Sequence, residues 1–271
     1  MPKPKTKQNP IILAVLFFIG MALFSLQAIY SIGPWFQSLT IKVEHPHDST
    51  FVELDNLLKA NVKNGRVNYQ QLKNSPLLGE AMAKLARFSP DAISDPNERI
   101  CFWLNAYNLV VIKLICDRYP IERVTQLGND PNFKKVLVGG VPYSQQEIYL
   151  YKLVPLVKAE MPLALFLACG GAIGYPPLLD HSIKPASLES ESESAAKSFI
   201  NDPNNVGRNS AHNNFPMSPW FVWTQQVFAK KYGPPEELIS HYLSPDLLKT
   251  YNKVTTRRSF RAPFNYQINK Q

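Results

Sequence analysis

The sequence predicts an α+β fold: a mostly helical single domain with a small sheet, preceded by one N-terminal transmembrane helix. Three observations lead there. An uncharged run, IILAVLFFIGMALFSLQAIY, follows a lysine-rich start. Beyond it, apolar residues recur mainly at helical spacing, and the longest such stretch, ERICFWLNAYNLVVIKLICDRYP, is apolar almost all round, as a central buried helix should be. The strand signals are few and short, and they do not alternate with helices in the rhythm of a parallel sheet.

Residues 11–30 are long enough to cross a bilayer as a helix. Lys3, Lys5 and Lys7 make residues 1–10 a basic flank that stays cytoplasmic. A cleaved signal peptide is the competing reading. It needs a shorter apolar region and small residues before the cut, and Ser25-Leu26-Gln27-Ala28 is a poor version of such a site. With the anchor favoured, residues 31–47 are a linker and residues 48–271 form one globular domain on the far side of the membrane. That orientation argues against a cytoplasmic, nucleic-acid-binding role despite the net charge of +8. The positive excess is scattered, with some enrichment from Lys249 to Lys270, and reads as a solvated surface; attraction to anionic headgroups is the sharper alternative.

Ser49 can cap a first helix that places Val52, Leu54, Leu57 and Leu58 largely on one side. After a break at Gly65 to Tyr69, a second amphipathic helix runs through Leu77, Met82, Leu85 and Phe88. A loop from Ser89 to Pro96 leads into the long apolar helix, which Pro120 stops. Within that helix Cys101, Asn105 and Asn108 share one face. Buried asparagines need hydrogen-bond partners, so a neighbouring loop whose backbone they satisfy is favoured over a substrate-facing role. Cys101 and Cys116 lie about 22 Å apart on this helix and cannot form a disulfide with each other. Any bridge would use Cys169.

FKKVLV, Gly139-Gly140 and Val141-Pro142-Tyr143 look like a hairpin. Ser144 to Glu147 has capping-box spacing and opens a helix toward Pro155. LALFLAC best fits a buried strand, although its length alone does not exclude a helical turn. SLESESESAAKSFIND reads as a helix with a charged outer face, because Leu188, Ser192, Ala195, Ala196 and Phe199 recur at helical spacing. Ser218-Pro219 starts another helix, with Trp220, Trp223, Val227 and Phe228 as its apolar stripe and Gly233 at its end. Two short helices, near Glu236 to Tyr242 and Pro245 to Lys253, precede a final extended segment, PFNYQIN.

Several of these pieces are collinear with a known pattern: Gly65-x-Val67-Asn68-Tyr69-x-x-Leu72; Glu98-Arg99-x-x-Phe102-Trp103-x-Asn105-Ala106-Tyr107-Asn108; Val138-Gly139-Gly140 leading to Ser144; Cys169-Gly170 with Pro176-Pro177; Phe199 to Pro203; Ser218 to Phe228; and Phe264 to Asn269. Taken together, over about residues 50 to 270, they resemble the bacterial and plant family known as domain of unknown function 547. The Phe-Trp-x-Asn-x-Tyr-Asn segment is the most specific part. The resemblance implies no settled biochemical role, although members often carry export signals, which agrees with the anchor. The family pattern places a Glu-His pair in the helix after the hairpin and a second cysteine just before the Pro-Pro, a set that suits a thiol site with a nearby base. This sequence departs there. Tyr149-Leu150 stands at the Glu-His position, Tyr175 at the second cysteine, and Trp223-Thr224-Gln225-Gln226-Val227 at the family's Trp-Tyr-x-x-Asp.

A nucleophilic cysteine needs a stabilised thiolate and an oriented base. Cys169 is the candidate nucleophile and His181, just past the Pro-Pro, is the candidate base, with Asn105 or Asn108 to orient its imidazole. Gly170, Gly171 and Gly174 could offer backbone amides as an anion nest or oxyanion hole, with Tyr175 beside them as a binding residue. His45-x-His47-Asp48 is at most a weak chelator, no metal-site, phosphate-loop or dinucleotide spacing appears, and no cofactor is expected. The reading this favours is a binding or scaffold module of the cell envelope. Its partners would be the bilayer, through residues 11–30, and an envelope protein, peptide or glycan ligand, with no nucleic acid. The alternative is a cysteine-dependent hydrolase or acyltransferase using Cys169 and His181.

Overall fold

The computed structural model describes residues 42–44, 50–128, 135–207, 215–253 and 262–271. The basic flank, the expected transmembrane segment 11–30, most of the linker, Ser49, His45, His47 and His212 lie outside the described residues.

The described chain is mostly helical, with two small antiparallel two-stranded sheets. It opens with helix α1 (Val52–Asn61) and a tight hairpin in which β1 (Val62–Lys63) pairs with β2 (Arg66–Val67). A single-turn α2 (Tyr69–Leu72) and the amphipathic α3 (Pro76–Arg87) follow. Asp95 caps the long helix α4 (Pro96–Arg118), accepting a hydrogen bond from the Glu98 amide, and Pro96 sits in its first turn.

Helix α4 is the centre of the domain. From Ile100 to Ile112 every residue is buried, so the all-round apolar pattern reflects contact on all sides. Among the described residues it is the one helix long and apolar enough to cross a membrane, but most of that span is buried inside the protein, as for a core helix.

The expected hairpin forms from β3 (Val136–Val138) and β4 (Val141–Tyr143), turning at Gly139-Gly140. Ser144 and Glu147 make the expected capping box over α5 (Gln145–Glu147). The helix does not end at Pro155. It widens into a π-helical stretch (Ile148–Leu153) and continues as α6 (Val154–Ala159), and the wider turn accommodates the proline within a continuous helix.

LALFLAC is not a strand. Pro162–Leu167 is a 3-10 helix opened by the proline, and all six of its residues are buried. Phe166 explains the preference. Its ring lies 4.8 Å from Trp220, 5.5 Å from Phe228 and 5.7 Å from Phe199, an aromatic knot worth about 0.5–1.5 kcal/mol per pair beyond the area it buries. A strand would present alternate residues to opposite faces and would need an edge to pair with; a short helix lets the run fill the knot and close its own backbone bonds.

Helix α7 (Leu188–Asn201) is the Ser/Glu-rich segment, with Leu188, Ser192, Ala196, Phe199 and Ile200 buried. Ser218 caps α8 (Pro219–Tyr232), as its sequence signals. The stripe of α8 needs correction: Phe221 and Thr224 are buried with Trp220, Val227 and Phe228, whereas Trp223 is 50% exposed. Helices α9 (Pro235–Tyr242) and α10 (Pro245–Asn252) follow. The segment 262–271 is extended and threads back into the domain. It bridges Arg123 through Gln267, Ala172 through Ile268 and Val67 through Lys270.

Candidate functional site

The stripe on α4 holds the loop that carries the candidate cysteine. Asn108 donates from Nδ2 to the Leu167 carbonyl at 2.9 Å, and its Oδ1 accepts from the Cys169 amide at 2.9 Å. One turn earlier, Asn105 does the same for Ile183, donating to its carbonyl and accepting from its amide, both at 2.9 Å. Both asparagines are buried. Two side-chain amides thus fasten both ends of the 167–183 loop to the core helix, and neither orients a histidine.

Cys169 is buried, with 2% of its surface exposed. Burial pushes its thiol up to about 11, although the Gly171 amide and the Asn269 side chain, which donate to Sγ at 3.4 and 3.5 Å, pull the other way. Cys101 and Cys116 are also free and buried, and burial pushes both to about 12. Each of the three is a thiol held away from its reactive form.

The glycine loop donates inward. The Gly171 amide points at the Cys169 sulfur, the Ile173 amide donates to the Gln267 carbonyl, and the Gly174 amide donates to the Asn265 carbonyl. The extended segment 262–271 therefore uses amides that an anion nest would need. Gly171 has φ of +78°, and a Cβ there would meet Ile115 Cδ1 at 2.5 Å, so its glycine answers to both backbone and core. At Gly170 the obstacle is the ring of Tyr175, which would lie 2.5 Å from an added Cβ. The aromatic residue at the family's second cysteine position rests on the glycine next to Cys169.

His181 is committed elsewhere. Its Nδ1 lies 2.7 Å from an Asp180 carboxylate oxygen and its Nε2 3.0 Å from Glu191 on α7. Beside it, the Ser182 amide and hydroxyl both donate to Asp55 of α1. The structure gives His181 and Cys169 no hydrogen bond to each other. Partial burial disfavours the charged ring, but the hydrogen bonds to Asp180 and Glu191 outweigh it and raise its pKa above the ordinary 6.5. A raised folded-state pKa means stability fully present below about pH 6.5 and lost as pH rises through the folded value. We expect the urea midpoint of the protein to fall over that window by more than that of His181→Gln. The difference should stay below about 1 kcal/mol, because the ring is more than a third exposed and solvent screens the pair. Parallel pH profiles would remove the ion pair from the account of stability.

Among the described residues, the structure opens a cleft of about 260 Å³ on the outer side of the loop. Tyr107, Tyr149, Tyr175, Trp220 and Trp223 supply its rings, Gln145, Gln146 and Thr224 its polar groups, and Leu150, Leu165 and Ala168 the remainder. None of these side chains carries a charge. Ala168 reaches the cleft and Cys169 does not. The ring of Tyr107 lies 5.6 Å from Tyr149, and its hydroxyl accepts from Gln145 Nε2 at 2.8 Å. Burial, reinforced by Tyr175, pushes the Tyr149 phenol to about 12, and burial raises Tyr107 and Tyr175 as well, so all three remain neutral over the physiological range.

The cleft was missed in the sequence because five separate segments build it. One signal was present: Tyr149, Leu150 and Tyr175, which stand where the sequence departs from the family pattern, meet in this one place, whereas Val227, at the family's acidic position, is buried and does not line it. Of the sequence-derived candidates, Tyr175 alone lines the cleft. Cys169, Asn105, Asn108, Gly170, Gly171 and Gly174 lie behind it or within the loop, and His181 sits at the loop's far end. Among the described residues no cluster of three or more His, Cys, Asp or Glu could hold a metal ion.

Among the described residues, fold and site together describe a helical α+β domain with a closed cysteine loop and an aromatic, uncharged cleft. Residues 90–200 match the model of a family described as "Protein of unknown function, DUF547". The matched stretch runs from the start of α4 through the hairpin and the Cys169 loop to α7, and contains the most specific of the motifs that carry the resemblance. No curated protein and no solved structure matches significantly.

Proposed function

We propose that this chain is a membrane-anchored, extracytoplasmic binding module of the cell envelope, held in the bilayer by residues 11–30 and binding its ligand in the aromatic cleft. The observation that carries this reading is the uncharged cleft beside a buried thiol. A pocket with aromatic walls and a few polar groups is the general form of a small-ligand site, while the group that would do chemistry is protonated, buried and out of reach of a base. The cysteine-dependent hydrolase or acyltransferase would need Cys169 to reach a substrate and His181 to reach Cys169. Asn108, Asn269, Asp180 and Glu191 hold both residues in other contacts.

Alkylation of membrane-extracted protein with a small thiol reagent, from about pH 6 to 9, tests the choice. Cys169 should remain unlabelled until the protein unfolds, as Cys101 and Cys116 should. Fast labelling at Cys169 with a depressed apparent pKa would favour the enzyme instead. The intact mass of the same sample reads the anchor, since a chain lacking about thirty N-terminal residues would lack the bilayer segment.

A further inference from the structure

We propose that the cleft takes one neutral pyranose ring of a glycan, stacked on Trp223 and hydrogen-bonded by Gln145, Gln146 and the hydroxyls of Tyr149 and Tyr175. This rests on the binding reading above and adds the class of ligand.

Size, charge and polarity each narrow the choice. At about 260 Å³ the cleft falls below the roughly 300–1,000 Å³ of sites for drug-sized molecules, so it suits one ring and not a folded segment. The absence of charge from its lining means that a phosphate or carboxylate would lose water without gaining a counter-charge, a heavy cost in a partly buried site. An acyl chain or an aromatic peptide side chain would use the rings but strand the polar groups. Gln145 spends one amide N–H on the Tyr107 hydroxyl and Thr224 its hydroxyl on the Trp220 carbonyl, but the others are free to bind. Among the described residues, the Gln146 amide and the Tyr149 and Tyr175 hydroxyls make no hydrogen bond. A pyranose has an apolar C–H face and a rim of hydroxyls, and so can satisfy aromatic faces and amides at the same time.

The stacking surface is held in advance. Trp223, half exposed at the mouth of the cleft, packs on Phe264 with ring centroids 4.9 Å apart. Phe264 in turn meets Tyr175 edge-on at 5.0 Å and Tyr266 at 4.7 Å. The extended segment 262–271 thus supports an outward-facing indole whose rotamer freedom is already reduced, which lowers the entropy lost on binding. An exposed tryptophan backed in this way is a stacking platform, whereas an unsupported one would fold down onto the surface.

The test uses the full chain in lipid nanodiscs and four probes: cellobiose, N,N′-diacetylchitobiose, the uronic acid counterpart of cellobiose, and an N-acetylated tyrosine amide. Binding is read by saturation-transfer NMR and calorimetry. At least one neutral disaccharide should bind saturably, with its C–H protons receiving saturation. Trp223→Ala should weaken it by at least about tenfold, with Trp223→Phe in between. Gln146→Ala should weaken it by a smaller factor, and the uronic acid should bind at least about tenfold more weakly than the neutral sugar. Affinity should be flat from about pH 5 to 9, because no lining group titrates there. Both substituted residues are exposed, and unchanged thermal melts confirm that the variants fold. Binding of the tyrosine amide without either disaccharide would overturn the glycan assignment and leave the binding module standing. Binding of none of the probes, or sugar binding indifferent to Trp223 and Gln146, would overturn the assignment too, while the Cys169 alkylation still separates binding module from enzyme.

Discussion

Replacing Asn108 with leucine should lower the unfolding free energy by about 3 kcal/mol. The side chains share the same heavy-atom count and branching, so the change removes two hydrogen bonds without opening a cavity, although the bulkier methyl groups add some overpacking. What remains is a buried Leu167 carbonyl and a buried Cys169 amide that no longer meet a partner, and each stranded group costs about 1–3 kcal/mol. Asn108→Asp keeps the acceptor but sets a buried carboxylate oxygen against the Leu167 carbonyl, so it should cost at least as much. Urea unfolding of the protein, followed by near-ultraviolet circular dichroism, measures this. A loss below about 1 kcal/mol would mean that the loop does not hang on Asn108. The same variant should admit alkylating reagent to Cys169, because its amide would no longer be fixed to the core helix.

The second large effect is expected at Gly170. An alanine methyl there would lie 2.5–2.6 Å from three ring carbons of Tyr175, well inside contact distance. Relief requires the ring to leave its edge-on contact with Phe264, and overpacking of this kind costs about 1–3 kcal/mol. In a Tyr175→Ala background the obstacle is gone, so Gly170→Ala should be close to neutral there. A double-mutant cycle should return a coupling of about 1–2 kcal/mol. Additive effects would show that something other than the ring meets the methyl group.

The parts of this protein that were legible in its sequence are those specified locally. The all-round apolar pattern from Ile100 to Ile112 identifies a core helix, and two asparagines on one face of it announce a backbone to be satisfied; the Ile183 and Leu167 contacts supply that backbone. Capping signals at Ser144 and Ser218, and helical spacing through the Ser/Glu-rich segment, lead to helices where expected. What was not legible depends on distant contacts. A short apolar run carries no mark of strand or 3-10 helix, and the knot around Phe166 decides for the helix. Nothing in WFVW says which ring turns outward; that depends on Phe264, far along the chain. The cleft was hidden for the same reason. Cys169 drew attention because reactive residue types are conspicuous in a sequence, whereas a group of rings is conspicuous only in space.

The extended segment 262–271 also has a consequence in time. Asn269 accepts from Tyr69 across 200 residues, donates to Gly65 across 204 and touches the Cys169 sulfur across 100. A ribosome adding about 5–20 residues per second reaches Asn269 some 10–40 s after Gly65. Throughout that interval the segment that covers the thiol and completes the β2 edge does not yet exist. The domain can therefore be assembled in outline, α4 and all, and still be unsealed, and its cysteine meets whatever oxidant or chaperone surrounds the nascent chain before its own closing strand arrives.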